Sequence, residues 1–255
     1  MAQYNPFYAN SYALVIGIDD HVHLRKLETA AHDAEAVGAW LSGAGFRVDA
    51  LLDGGATRDT ILDWFRQIDA ITQPDDRVLV YFAGHGASRR VVRGAARVGY
   101  LMLHNTLTYT NALSMEDLIG EARFVPAKHV FFALDCCFSG LAIPQAQPEP
   151  PRAARSVEAL LRAPAVEVLT AGQAGERVGD RLRGSDHSPF THFLLKGLNG
   201  AAAREGAITS DLLATYVMAQ VRARRRVYQT PAFYRAPNPD GGDIGRFVFV
   251  MPRES

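Results

Sequence analysis

The feature that most limits what this chain can fold into is an alternation of short apolar runs with amphipathic stretches. Tyr12–Ile18, Arg77–Phe82 (centred on Val78-Leu79-Val80-Tyr81) and His129–Leu134 are nearly continuous in apolar residues. Runs of this length predict strands buried on both faces. Between them, Asp33–Ala44 spaces Ala34, Val37, Trp40, Leu41 and Ala44 as one helix face, and Gly45 is a natural stop. Thr57 is placed to cap a helix carrying Ile61, Trp64, Phe65 and Ile68. Ser114 heads a short helix through Glu121, and Pro189 behind Ser188 marks another helix start. Thr209–Arg226 predicts a longer helix with Leu212, Leu213, Tyr216, Val217 and Val221 inward. Arg47–Leu52, Glu167–Ala171 and Phe247–Met251 complete the expected strands. The alternation predicts an α/β domain whose mostly parallel sheet carries helices on both faces. Two stretches lack the pattern. Gly86–Gly99 is small, polar and basic and reads as a mobile loop; Pro144–Arg155 holds four prolines and reads as an extended, exposed connection.

Bulk properties narrow the function. The 255 residues suffice for one large domain or two small ones, and 48% hydrophobic content supplies a core. A formal net charge of zero argues against nucleic acid or anionic membrane as a partner held by overall charge. Both cysteines are neighbours, so no useful loop is closed by a disulfide, and a reducing cytoplasm is the expected location. Met1–Tyr12 lacks a basic start followed by an apolar stretch, so no signal peptide is expected, and no run nears the roughly 20 apolar residues of a membrane span.

The chemistry concentrates in two runs that follow strands and break at glycine: Tyr81-Phe82-Ala83-Gly84-His85-Gly86 and Leu134-Asp135-Cys136-Cys137-Phe138-Ser139-Gly140. Residues just beyond the carboxyl ends of parallel strands line the crevice where such sheets bind ligands. Cys137 is the candidate nucleophile and His85 its candidate base, which then protonates the leaving amine. Each has a plainer reading, as a small core cysteine and a turn histidine, but the pair at two strand ends favours chemistry. Cys136 is expected to be structural, because adjacent residues of an extended strand point to opposite faces. The run Asp19-Asp20-His21-Val22-His23, with His32 nearby, hints weakly at a metal without a supporting second pattern. Phosphate-loop, dinucleotide, Gly-x-Ser-x-Gly and Cys-x-x-Cys motifs do not occur.

With Gly84-His85-Gly86 lying 52 positions before Cys137, and Asp135-Cys136-Cys137 followed by Phe138-Ser139-Gly140, the chain resembles the caspase-like cysteine peptidases of clan CD (peptidase family C14). The pattern is most similar to metacaspases and bacterial orthocaspases. Val15-Ile16-Gly17-Ile18, Leu27–Ala34, Val168–Ala171, Phe190–Leu195 and Gln229-Thr230-Pro231 extend the likeness over nearly the whole chain. The resemblance implies a three-layer caspase-like sandwich. It implies one catalytic domain over 1–255, with a large-subunit-like region 1–143, a linker 144–156 and a small-subunit-like region 157–255. It further implies a Cys–His dyad and an oxyanion hole made by the backbone N–H groups of Gly86 and Cys137. Departures are Phe138 where metacaspases commonly have His, Thr29-Ala30 in place of Gly-Cys, and His32 in place of Asn.

Asp33 and Asp135 match the acidic residues of the metacaspase first pocket, and two carboxylates in one concavity favour a guanidinium or ammonium. Plainer roles are a helix N-terminal charge for Asp33 and a hydrogen-bond acceptor for Asp135. The expectation is a cysteine endopeptidase acting on protein or peptide substrates after Arg, then Lys, needing no cofactor, with calcium dependence open and a regulatory partner unspecified. Self-cleavage after Arg152 or Arg155 would fit that preference, with Arg89, Arg90 and Arg93 as a second region. Two alternatives stand beside it: a caspase-like interaction module with negligible turnover, and a thiol acyltransferase that joins peptides.

Overall fold

The computed structural model describes residues 8–90, 92, 97–137, 157–172, 181–182, 184–224, 229–236 and 245–250, and at Cys137 it describes the backbone. The first half runs β1 (Ser11–Gly17), α1 (Ala30–Gly43), β2 (Arg47–Leu52), α2 (Arg58–Ile71), β3 (Arg77–Ala83), β4 (Gly86–Arg90), β5 (Arg97–Leu101), β6 (Leu113–Ser114), α3 (Met115–Ala122) and β7 (His129–Cys137). The second runs α4 (Val157–Arg162), β8 (Ala165–Gly172), α5 (Pro189–Lys196), β9 (Ala207–Thr209), α6 (Ser210–Arg222), β10 (Ala232–Arg235) and β11 (Val248–Val250). Six strands form the central sheet in the order β10-β8-β7-β3-β1-β2. All neighbours are parallel except the edge strand β10, which is antiparallel to β8.

The strands are buried on both faces because their residues alternate between two apolar layers. Leu14, Ile16, Val78, Val80, Phe82, Val130, Phe132, Leu134 and Cys136 pack on one face with Ile61, Trp64, Phe65 and Ile68 of α2 and Met115 and Leu118 of α3. Ala13, Val15, Leu79, Tyr81, Phe131 and Ala133 pack on the other with Ala34, Val37 and Leu41 of α1, Phe190 and Phe193 of α5, and Leu213 and Val217 of α6. The result is the α/β three-layer sandwich the sequence implies. Thr57 caps α2 through a reciprocal box with Thr60, and the Ser114 and Ser188 side chains cap α3 and α5.

One glycine fixes how β1 meets α1. A Cβ at Gly17 would lie 2.5 Å from the Ala30 carbonyl oxygen and 2.7 Å from Ala31 Cα, so only glycine lets the helix start so close to the strand end. That approach brings the first turn of α1, with Asp33, to the carboxyl edge of the sheet.

Three expectations are corrected. Gly86–Gly99 is not a loop throughout: β4 pairs antiparallel with β5, and β5 with β6. β4 carries little apolar surface, so its period is invisible in hydrophobicity; the pair is held by main-chain pairing, by Arg97 Nε donating to Ser88 Oγ at 2.8 Å and by Leu101 of β5 buried in the core. Arg89 and Arg90 therefore belong to a hydrogen-bonded strand; Arg93 lies outside the described residues. The last helix is Ser210–Arg222, with Leu212 and Tyr216 half-buried, and the final strand pairs with β9 in a separate two-stranded sheet. The 144–156 linker, with Arg152 and Arg155, lies outside the described residues.

Candidate active site

Ala83 and Asp135 are register partners on the adjacent parallel strands β3 and β7. His85 lies two residues beyond this pair, just past the end of β3, and Cys137 two residues beyond it as the last residue of β7, after a register irregularity between Leu134 and Cys137. Gly84 N–H still donates to the Asp135 carbonyl at 3.4 Å, keeping the two chains together up to that point. The sequence expectation that both residues sit at one carboxyl edge holds for the backbone. Cys136 is 1% exposed and packs in the layer beneath α2 and α3, as the alternation requires of a structural residue.

His85 is half-buried, and its Nε2 lies 2.7 Å from the Arg25 carbonyl oxygen. A carbonyl only accepts, so the proton sits on Nε2 and Nδ1 carries the lone pair in the neutral ring. That is the tautomer a general base requires. The supporting loop between β1 and α1 is stitched in place by carboxylates. Asp53 Oδ1 accepts from the backbone N–H groups of Asp19 and Asp20 at 2.8 Å each, and Asp19 caps α1 by accepting from Ala30 N–H (2.8 Å) and Ala31 N–H (3.1 Å). His21 is buried beside His85, ring centroids 4.8 Å apart. Burial, then the neighbouring His85, pushes the His21 pKa down to about 4, so it packs as a neutral ring.

The acidic half of the site is built on the opposite layer. Asp33, in the first turn of α1, and Asp135, near the end of β7, are 1% and 4% exposed. Ser188, the cap of α5, joins them: its N–H donates to Asp33 Oδ2 at 3.1 Å and its hydroxyl donates to Asp135 Oδ2. Thr191 Oγ1 donates to the same Asp135 oxygen at 2.7 Å and receives the Tyr81 hydroxyl at 2.6 Å. Asp33 Oδ1 is met by His187 Nδ1 at 2.6 Å. Asp135 Oδ1 is buried and has no hydrogen-bond partner among the described residues. Burial pushes the pKa of Asp33 up to about 7, against the bonds from Ser188 and Thr29. Burial, and then the charge of Asp33, push Asp135 up to about 7.

The sequence reading named His85, Cys137, Asp33, Asp135 and Gly86, and the fold gathers their backbones at one edge. It missed the Arg25 carbonyl, His187 and the carboxylate-bridging roles of Ser188 and Thr191. A carbonyl has no sequence signature, and Ser188 reads as a helix cap because it is one as well. The Asp19–His23 run and His32 contribute to no group of three metal-ligating side chains among the described residues.

Comparison with known proteins agrees with this architecture. The chain matches a family model described as the caspase domain of the C14 peptidases over residues 10–240. No curated protein matches it by sequence. A crystal structure of a protein from Geobacter sulfurreducens is similar in fold, with a TM-score of 0.65 and 19% identity, covering 91% of this chain and 96% of that one. The chain belongs to the caspase-domain peptidase family.

Proposed function

We propose that this caspase-domain protein is a cysteine endopeptidase that cleaves after arginine and, less well, after lysine. The observation that carries the reading is the Asp33–Ser188–Asp135 cluster: two buried carboxylates at one strand edge, with Asp135 Oδ1 lacking a partner among the described residues. A buried carboxylate oxygen left unpaired is costly, and a substrate guanidinium or ammonium supplies what it lacks.

In this mechanism the basic side chain enters the acidic pocket and sets the scissile carbonyl beside residue 137. The Cys137 thiol proton passes to His85 Nδ1, and the thiolate attacks the carbonyl carbon. The Gly86 and Cys137 N–H groups hold the oxyanion. His85 returns the proton to the amine as the C–N bond breaks, and water then hydrolyses the thioester. The steps draw on groups of this chain alone, and the two adjacent cysteines suit a reducing compartment such as the cytoplasm.

The test is hydrolysis of matched reporter peptides ending in Arg, Lys or Asp, with and without calcium. The expected order is Arg, then Lys, with almost no turnover after Asp. Cys137→Ala abolishes turnover and Cys136→Ala keeps most of it. Equal rates on Arg and Asp peptides would refute the specificity, and an active Cys137→Ala would refute the nucleophile.

A further inference from the structure

We propose that His187 is a resident plug of the acidic pocket, whose imidazole occupies Asp33 and must swing aside before a substrate cation can reach the two carboxylates. This rests on the basic-residue reading of Asp33 and Asp135 and adds a specificity residue to it.

Three observations place the ring in the way. First, His187 Nδ1 takes Asp33 Oδ1 at 2.6 Å, and no arginine or lysine pairs with that carboxylate among the described residues. Second, the His187 side chain is 21% exposed while Asp33 is 1% exposed, so the ring lies on the solvent side of the carboxylate. Third, the ring is parked face to face on His32, centroids 5.0 Å apart at 9°, on the exposed surface of α1. The ring is also free to leave without unfolding its segment. The backbone is held independently, by Leu182 N–H on the His187 carbonyl (2.8 Å), Ser185 Oγ on His187 N–H (3.2 Å) and Ser188 N–H on Asp33 Oδ2 (3.1 Å). A side-chain rotation opens Asp33 and leaves these bonds in place.

The plug makes substrate affinity depend on the charge state of the His187–Asp33 pair. The charged and titratable groups around the ring are Asp33 and His32 from α1, His192 from α5, and Asp186, itself paired with Arg181, on the ring's own segment. Burial lowers the His187 pKa and raises that of Asp33 to about 7, so above about pH 7 a neutral Nδ1–H donates to an ionised carboxylate and competes directly with the substrate cation, while at pH 6 the carboxylate is largely protonated and there is less charge to compete for. A long guanidinium or ammonium chain gains both carboxylates in exchange for the one the ring gives up. A neutral side chain gains nothing for displacing it.

The experiment measures KM and kcat for an Arg-terminated reporter at pH 6 and pH 8 with wild type, His187→Ala, His187→Asn and Asp135→Asn, each checked by thermal melting. His187→Ala is expected to lower KM about tenfold at pH 8, where Asp33 is ionised, and by less at pH 6, the size of a lost charge-assisted hydrogen bond, with a smaller change in kcat. His187→Asn, whose amide can still donate to Asp33, falls between. Unchanged or raised KM in both variants, with wild-type melting, overturns the plug. So does failure of both variants to fold, which marks the contact as structural. Wild-type turnover surviving in Asp135→Asn, or absent on Arg reporters altogether, removes the pocket reading itself, and the plug with it, through a different arm.

Discussion

Two buried carboxylate sites in this molecule have the same electrostatic problem and different solutions. Glu167, in the middle of β8, and Asp135, near the end of β7, are both held near pKa 7 chiefly by burial. Each places one oxygen on hydroxyl or backbone donors: Glu167 Oε2 receives Ser210 Oγ (2.5 Å) and Phe247 N–H (2.9 Å), as Asp135 Oδ2 receives Ser188 and Thr191. The second oxygens differ. Glu167 Oε1, like Asp135 Oδ1, has no hydrogen-bond partner among the described residues, but it lies within ion-pair range of the guanidinium groups of Arg235 at 3.7 Å and Arg246 at 3.9 Å. Asp135 Oδ1 faces no such group among the described residues. The first site carries its own cations and ties β8 to β10 and to the segment entering β11. The second lies at the edge where the candidate catalytic residues emerge, and on the proposed function a substrate brings the cation it lacks.

Substitutions can break this contrast, starting with the largest effect. Glu167→Ala removes the carboxylate shared by Arg235 and Arg246 and the acceptor of a buried Phe247 N–H, and should cost about 3–5 kcal/mol of stability by chemical denaturation. A change under 1 kcal/mol would mean that the arginines do not depend on it. Asp135→Asn should act in the opposite direction. The folded Asp135 pKa of about 7 lies above its ordinary 3.8, so the folded state binds more protons than the unfolded state between those values. Stability from this group is therefore present below about pH 4 and is lost as pH rises towards 7. The variant should be more stable than wild type at pH 8, by roughly 1–3 kcal/mol, with little difference at pH 4. Parallel stability curves for the two proteins would show that the carboxylate is not strained.

The smallest effect concerns the pH profile of activity. Raised pKa values for both pocket carboxylates predict that kcat/KM for an Arg reporter climbs as pH passes through about 7, because only the ionised pocket attracts a cation. Reporters with a neutral residue at that position should not share the climb. A common profile for both would assign the ionisation elsewhere.

Much of this arrangement is legible in the sequence. The central strands are strongly apolar and both layers are reached by simple alternation, so β1, β3, β7 and β8, and the helices capped by Thr57, Ser114 and Ser188, announce themselves. What hid was structure without apolar contrast. β4 is short and basic, and β9 and β10 are three and four residues long. The site divides the same way. Side chains with intrinsic chemistry, His85, Asp33 and Asp135, stand out by type and position at strand and helix ends. Partners defined only by three-dimensional approach do not: the Arg25 carbonyl is 60 residues from His85 and His187 is 154 residues from Asp33.

The central claim is that the pocket over Asp33 and Asp135 reads positive charge. The most direct test compares wild-type kcat/KM on two peptides that differ only in arginine against citrulline, its uncharged near-isostere, before the scissile bond. A desolvated charge pair worth about 2–5 kcal/mol predicts at least a thirtyfold preference for arginine, reduced to a few-fold in Asp135→Asn. Equal cleavage of the two peptides by the wild-type protein would contradict the account.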